Sequence, residues 1–277
     1  GRTSLFMRCT AVTGSFDASV RTLKFSAPST LDTINGWASR QTEGRIPTIL
    51  DEIAPEDVLY AINAMYFEAR WRTPFEKSRT VPSRFRSPEG DMNVPMMRGE
   101  NIPIAVYPAP GARVGELLYG NGAFAFTIVL PNDTSRTALG AVLASLTSSD
   151  VSRTTVGATY PTLDVHLPRF AVEWNRLLND DLKALGLTEV FSHGLDSLFT
   201  GPVGGVPFLS AVRQKAMIEV DEEGTVAAAV TVGTVGVTSA PMPFVVDRPF
   251  AFFIRERISG TILFAGQVVR VLPPRAD

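Results

Sequence analysis

Few side chains in this sequence could move protons, attack a carbonyl or grip a metal. Asp221, Glu222 and Glu223 are consecutive carboxylates, and His166 and His193 are the only histidines. Clustered carboxylates suit general acid–base work or a metal, but neighbours on a strand point to opposite faces, so the run reads as no single site. A Ser–His–Asp triad would have to recruit one of the two histidines. His166 falls in an alternating apolar–polar stretch and reads as structural, whereas His193 sits in a polar, Gly-bounded stretch and reads as solvated. Two histidines cannot by themselves make a zinc site, and Cys9, the only cysteine, allows neither an intrachain disulfide nor a thiolate cluster. GxSxG, Walker, strand-borne GxGxxG and HExxH patterns are missing. Neither enzymatic turnover nor a metal or cofactor is expected.

Composition narrows the partners. The 277 residues carry 26 basic and 28 acidic side chains, a formal charge of −2, with 45% hydrophobic residues and 19% charged. That is a globular balance with enough chain for a sizeable core, in one large domain or two ordinary ones. Near-neutrality argues against a nucleic-acid binder. No apolar run reaches the roughly 18 residues of a membrane span. The opening GRTSLFMRCT lacks both an initiator Met and a signal-peptide apolar region, and reads as cut from something longer.

The elements that would position these groups are legible in outline. Ser29 or Thr30 can cap a helix bearing Leu31, Ile34, Trp37 and Ala38 on one face, ended by Gly44 and Pro47. Val58–Phe67 is an almost unbroken apolar run that reads as a strand buried on both faces. Asn63 interrupts it, and a buried amide left without partners costs about 1–3 kcal/mol, so Asn63 is a structural latch, the favoured reading, or a functional group. Phe124–Leu130 is a strand stopped at Pro131-Asn132-Asp133, and Leu163–Phe170 is a half-buried strand holding His166. Glu173–Leu187 reads as an amphipathic helix with Leu177, Leu178, Leu182 and Leu185 inward and Gly186 near its end. Pro249–Glu256 and Thr261–Val271 flank a Ser259-Gly260 turn as a hairpin. Strands and helices are segregated, which favours α+β.

One segment is anomalous. Gly224 to Pro243 contains no charged side chain, and its first proline is Pro241. A central strand is the plain reading, but Ile218 to Ala240 would run ~75 Å at ~3.3 Å per residue, too far for one strand. Thr225, Ala227, Ala229 and Thr231 would share a face, all small enough to slide between existing strands.

Ile218–Thr231 (IEVDEEGTVAAAVT) closely resembles the hinge of the serpin reactive-centre loop. Ile62–Phe75 (INAMYFEARWRTPF), Phe85–Met97, Thr127–Asp133, Leu167–Phe170, Leu182–Phe191 and Asp247–Val269 resemble further motifs of that family, in family order. The resemblance covers the chain from about Leu23 onward. It implies a serpin fold over residues 1–277 as one α+β domain: three β-sheets, surrounding helices and an exposed loop at about 222–243, without the N-terminal helices that precede the main sheet's second strand.

The resemblance also implies the chemistry. A target serine protease, or for some members a cysteine protease, attacks the loop and is held as a covalent acyl-enzyme while the cut loop enters the main sheet. The handicap on the protease is mechanical, and loop insertion of this kind is a known mode of strand addition. Glu222, Glu223, Gly224, Thr225, Val226, Ala227, Ala228 and Ala229 fall at the hinge, and Asn63, Trp71 and Gln214 in the sheet-opening region. Counting to Pro249-Phe250 puts the reactive bond at Thr238–Ser239, with Val237 the alternative specificity residue. Small side chains there favour elastase-like or subtilisin-like targets over trypsin-like ones. Gly233 and Gly236 each cost about 0.5–1 kcal/mol in a strand and would slow insertion. A monomer with neither nucleic-acid nor membrane partner is expected, and the family favours an extracellular setting. A non-inhibitory serpin-like binding protein and an inactive truncated fragment are the alternatives.

Overall fold

The computed structural model describes residues 6–7, 19–54, 56–135, 137–147, 149–150, 158–192, 195, 199–200, 208–225 and 243–272. Val226, Ala227, Ala228, Ala229, Val237, Thr238, Ser239 and His193 lie outside them. The strands are β1 (Phe6–Met7), β2 (Tyr60–Tyr66), β3 (Ala69–Arg70), β4 (Val81–Ser87), β5 (Gly90–Pro103), β6 (Ala105–Ala109), β7 (Ala112–Leu118) and β8 (Phe124–Pro131). They continue with β9 (Thr162–Pro168), β10 (Phe170–Leu177), β11 (Phe199–Thr200), β12 (Ala211–Val220), β13 (Gly224–Thr225), β14 (Phe244–Val245), β15 (Phe250–Glu256) and β16 (Ile262–Val268). Helices α1 (Ser29–Gln41), α2 (Ala138–Ser145) and α3 (Asn179–Ala184) accompany them.

Among the described residues three sheets have three or more strands, ordered β10-β12-β2, β14-β9-β5-β4 and β16-β15-β8-β7-β6, with β1-β11 and β13-β3 as short ladders. The architecture is α+β. The chain divides into two compact units, Gly1–Tyr66 with Glu173–Met217, and Phe67–Val172 with Ile218–Asp277.

The second unit holds the larger core. All of β8 after Phe124 is buried, and Phe126 stacks on Phe252 of β15 with ring centroids 5.3 Å apart. The C-terminal hairpin forms as its sequence predicts, with Gly260 at φ +73° in the turn and a register shift at Ile254/Arg255. An ion pair sits inside this sheet: Arg255 is 1% exposed and bonds Glu116, which is fully buried and also accepts from the Tyr160 hydroxyl. Burial first, and the Glu116 carboxylate second, push the Tyr160 phenol up. His166 is half-buried in β9, where burial and then Arg98 hold its imidazole below the usual range.

In the first unit, α1 packs Ile34 and Ala38 with Ile46, Ile49, Leu50 and Met217 of β12. The helix begins at Ser29 after Pro28 with no side-chain cap; Thr30 lies inside the first turn and its hydroxyl donates to the Lys24 carbonyl.

Two expectations are corrected. β2 is not buried on both faces: Tyr60, Ile62 and Ala64 pack toward α1, while Ala61 and Asn63 are exposed on a face that no described residue covers. Asn63 is therefore not a buried amide. The helix expected over Glu173–Leu187 is instead a strand to Leu177 followed by the six-residue α3. Backbone pairing in the three-stranded sheet overrides the leucine spacing, with the Leu178 N–H donating to the Val212 carbonyl. Leu177 and Leu185 are exposed, and only Gly186, at φ +96°, ends the helix as its sequence position suggests.

Candidate functional site

The site is the place where β12 ends and the chain reverses. Asp221 to Gly224 form a tight turn, with Asp221 N–H donating to the Gly224 carbonyl at 2.9 Å and Gly224 N–H returning to the Asp221 carbonyl at 3.3 Å. The Asp221 carboxylate also accepts from Glu223 N–H at 2.9 Å and Gly224 N–H at 3.1 Å, the local bonding that suits aspartate to turns. Burial pushes this carboxyl up, and the two amide bonds oppose the shift. The three carboxylates thus lie in a turn, not on a strand, and Glu222 and Glu223 are both buried.

Glycine is required at the end of this turn. Gly224 has φ +136°, and a Cβ there would lie 2.4 Å from the Ala69 carbonyl oxygen and 2.6 Å from the Trp71 nitrogen. The absent side chain lets Gly224 and Thr225 pair antiparallel with Arg70 and Ala69, as β13 on β3. Gly224 therefore has a backbone partner on each side, Asp221 and Arg70.

One short segment holds the turn. Trp71 N–H donates to the Glu223 carbonyl at 2.9 Å and Phe75 N–H to the Glu222 carbonyl at 2.8 Å. The Trp71 indole N–H donates to the Asp221 carbonyl at 2.9 Å. Trp71 is 4% exposed, stacked on Tyr119 with centroids 4.6 Å apart and edge-on to Phe126. Immediately after Phe75, a 3₁₀ turn at Lys77–Arg79 brings up two side chains. The Thr80 hydroxyl donates to Glu222 Oε1 at 2.6 Å, and Lys77 Nζ pairs with Glu223 Oε1 at 2.5 Å. Lys77 and Thr80 were not legible as site residues; the signal available was that the adjacent acids Glu222 and Glu223, if buried, need partners.

The remaining sequence-predicted positions lie along β12 and β2. These strands pair in parallel from Ala211↔Tyr60 to Met217↔Tyr66. Asn63 and Gln214 face each other across this ladder, with Gln214 Nε2 donating to Asn63 Oδ1 at 3.3 Å and lying 3.5 Å from the Met65 sulfur. Among the described residues no three His, Cys, Asp or Glu side chains come together as metal ligands. What each unit offers chemically is backbone: the first a parallel ladder, and the second, after the last residue of β12, a turn that reverses the chain.

Comparison with known proteins gives one answer. The family model described as "Serpin (serine protease inhibitor)" matches residues 8–271. Human serpin B11 is 34% identical over 264 residues, covering 91% of this chain and 67% of its own length. Human leukocyte elastase inhibitor is 34% identical over 247 residues, covering 85% of this chain and 65% of its own length. The chain thus spans about two thirds of the length of such relatives. The native-state crystal structure of tengpin, a thermophilic serpin, superposes with a TM-score of 0.81 at 27% identity, over 98% of this chain and 71% of that one. The chain belongs to the serpin family.

Proposed function

We propose that this chain acts as a single serpin-like domain that inhibits serine proteases as a suicide substrate and does not turn over as an enzyme. The protease serine attacks the Thr238 carbonyl, an ester forms as the Thr238–Ser239 amide breaks, and the Ser239 amine leaves with the proton from the serine hydroxyl. Water would then hydrolyse the ester, unless insertion of the cut strand moves the enzyme first. Typical turnover of ~10 per second leaves about a tenth of a second for that step.

The observation that carries this reading is strand direction. β12 and β2 run parallel, and the turn at Asp221–Gly224 reverses the chain. A strand entering between them would be antiparallel to both, exchanging one slanted parallel ladder for two antiparallel ones. About a dozen added backbone hydrogen bonds at ~1 kcal/mol net each give on the order of 10 kcal/mol, enough for an irreversible step.

The register supports the same reading. Gly224 pairs with both Asp221 and Arg70, which sets those two residues 151 apart, and the β12–β2 ladder has the same offset of 151 throughout. A strand that kept this register on from Gly224 would bring Thr231 to the rung between Asn63 and Gln214, with Ala228 and Thr234 at the two ends of the ladder.

Small residues at 237 and 238 favour elastase-like or subtilisin-like targets, with an encounter between monomers outside the cell. The test is incubation with pancreatic elastase, subtilisin and trypsin. An SDS-stable complex with elastase or subtilisin, and mass-mapped cleavage after Thr238 or Val237, is expected. Cleavage without any complex would favour a non-inhibitory binding protein, and preferred trapping of trypsin would refute the assigned bond.

A further inference from the structure

Three residues that neither the core nor the loop chemistry uses follow β8: Asn132, Asp133 and Thr134. An Asn with Ser or Thr two residues on, and no Pro between, is the acceptor pattern for an N-linked sugar. The chain has eight asparagines, and only Asn132 has a hydroxyl residue at that spacing. The pattern alone is common by chance, so the state of the side chain decides. Five of the other asparagines use their amides inside the fold: Asn35 on Ile49 and Leu50, Asn63 on Gln214, Asn121 on Ala123, Asn175 on Arg213, and Asn179 on Ser210 and Val212. The remaining two, Asn93 and Asn101, have Pro where the hydroxyl is needed. Asn132 is exposed, and its amide has no hydrogen-bond partner among the described residues.

The backbone here is tied down while the side chains stay outside. Pro131 is buried and its carbonyl accepts from Arg248 Nε at 2.8 Å. The Asn132 N–H donates to the Gly111 carbonyl at 2.8 Å, across the turn between β6 and β7. Asp133, the middle residue, is occupied locally: its carboxylate accepts from the Ser135 N–H at 3.0 Å and the Ser135 hydroxyl at 2.7 Å, and these bonds hold its carboxyl below the usual range. It therefore competes for neither the Asn132 amide nor the hydroxyl of Thr134, which is also exposed. A substituent on the Asn132 nitrogen would displace no core residue and break no internal bond.

We propose that Asn132 is an N-glycosylation acceptor, with the Thr134 hydroxyl as the group by which a transferase recognises it. The donor is an oligosaccharide carried on a polyprenyl pyrophosphate. Asn132 Nδ2 attacks the first sugar's anomeric carbon, a C–N bond forms as the C–O bond to pyrophosphate breaks, and the nitrogen gives up one proton to a base of the transferase. The polyprenyl pyrophosphate leaves. The sugar then stands beside the Pro131 carbonyl that holds Arg248, at the foot of the segment where the loop returns to β15. This setting fits the extracellular reading above and is independent of protease trapping.

The test sends the full chain, behind a cleavable signal peptide, into the secretory lumen of cultured insect cells. The lumenal fraction is read as well as the medium, because sugar transfer precedes export. Wild type should run as a slower band that shifts to the mobility of Asn132→Gln after peptide-N-glycosidase, with mass spectrometry finding at position 132 the aspartate that this enzyme leaves. Thr134→Ser should keep the sugar, whereas Thr134→Ala and Asn132→Gln should lose it. Lumenal wild type without a glycan overturns the proposal, as does a glycan that persists in Asn132→Gln. In chain made without sugar, Asn132→Gln should melt with wild type; a lower melting temperature would mean that the fold uses the amide, against an acceptor role. A glycan at Asn132 in a chain that traps no protease supports the site and removes only the inhibitor reading.

Discussion

Gly224 stands against Arg70 with no room for a side chain: a Cβ at that position would lie 2.6 Å from the Arg70 Cα. The close approach is what allows the chain leaving β12 to pair with β3 at once. It also leaves this position no room for any side chain.

Gly224→Ala meets both the contact and the φ of +136°. It should cost about 1–3 kcal/mol, the range for a side chain held in a sparsely populated backbone region. Thermal melting of the intact protein should fall accordingly, and fewer protease molecules should be trapped. A variant with unchanged melting would mean that the pairing with Arg70 does not hold the turn.

Asp221→Asn separates the charge of that residue from its bonding. The amide oxygen can still accept from the Glu223 and Gly224 N–H groups, while the half-buried charge is gone. Because the folded-state pKa of Asp221 is raised, the folded protein holds its proton more tightly than the unfolded chain does. Stability from this group is therefore greatest below the unfolded value and is lost as pH rises through the window up to the folded value. The asparagine variant should be at least as stable as wild type at pH 7, with that loss removed. A melting series from pH 3 to pH 7 checks it, and a destabilised variant at neutral pH would assign the ionised carboxylate a supporting role.

Trp71 is a brace with two separable parts. Trp71→Phe removes the indole bond to the Asp221 carbonyl and should cost about 1 kcal/mol plus some packing. Trp71→Ala also empties the space beside Tyr119 and Phe126, and should cost about 3–5 kcal/mol. Denaturant titration distinguishes the two. Equal losses would mean that the stacking contributes little.

Arg255 cannot be removed alone without leaving Glu116 charged inside the sheet, since neither is more than 1% exposed. Arg257 Nε, 3.4 Å from Glu116 Oε1, leaves that carboxylate a second cation, so Arg255→Ala should cost less than the ~3–5 kcal/mol of a lone broken pair, and Arg255→Ala with Arg257→Ala should reach it. A double variant as stable as the single one would show that Arg257 does not serve Glu116.

Cutting the loop should stabilise the protein. If the freed strand enters between β12 and β2, the nicked molecule should melt well above the intact one, in proportion to the ladder gained. A nicked form that melts at or below the intact form would end the trapping mechanism.

The parts of this fold legible in the sequence are those fixed by local pattern. The β15–β16 hairpin follows from two apolar runs about Ser259-Gly260, and β8 from the run that stops at Pro131. Where pattern and pairing disagree, pattern misleads: Leu177, Leu178, Leu182 and Leu185 have helical spacing, yet the chain is extended to Leu177 because β12 is its neighbour. Asn63 misleads for a related reason, since apolar neighbours predict burial only where something covers the face, and no described residue does. Gly224 in the hinge and Trp71 in the sheet-opening region are readable as motif residues. Lys77 and Thr80 are not, because they meet Glu222 and Glu223 more than 140 positions away in the chain.

The shared offset along β12 and β2 has a consequence for whatever the loop carries. If the cut strand inserted in the register counted from Gly224, Thr234 would meet Tyr60 at the end of the ladder, four residues short of Thr238. An attached enzyme would travel with Thr238, roughly 48 Å from Gly224 if fully extended, and would then hang from a leash of about 14 Å. If the loop inserts as proposed, the length of that leash, more than its composition, sets how hard the passenger is pressed against this chain at the end of its journey.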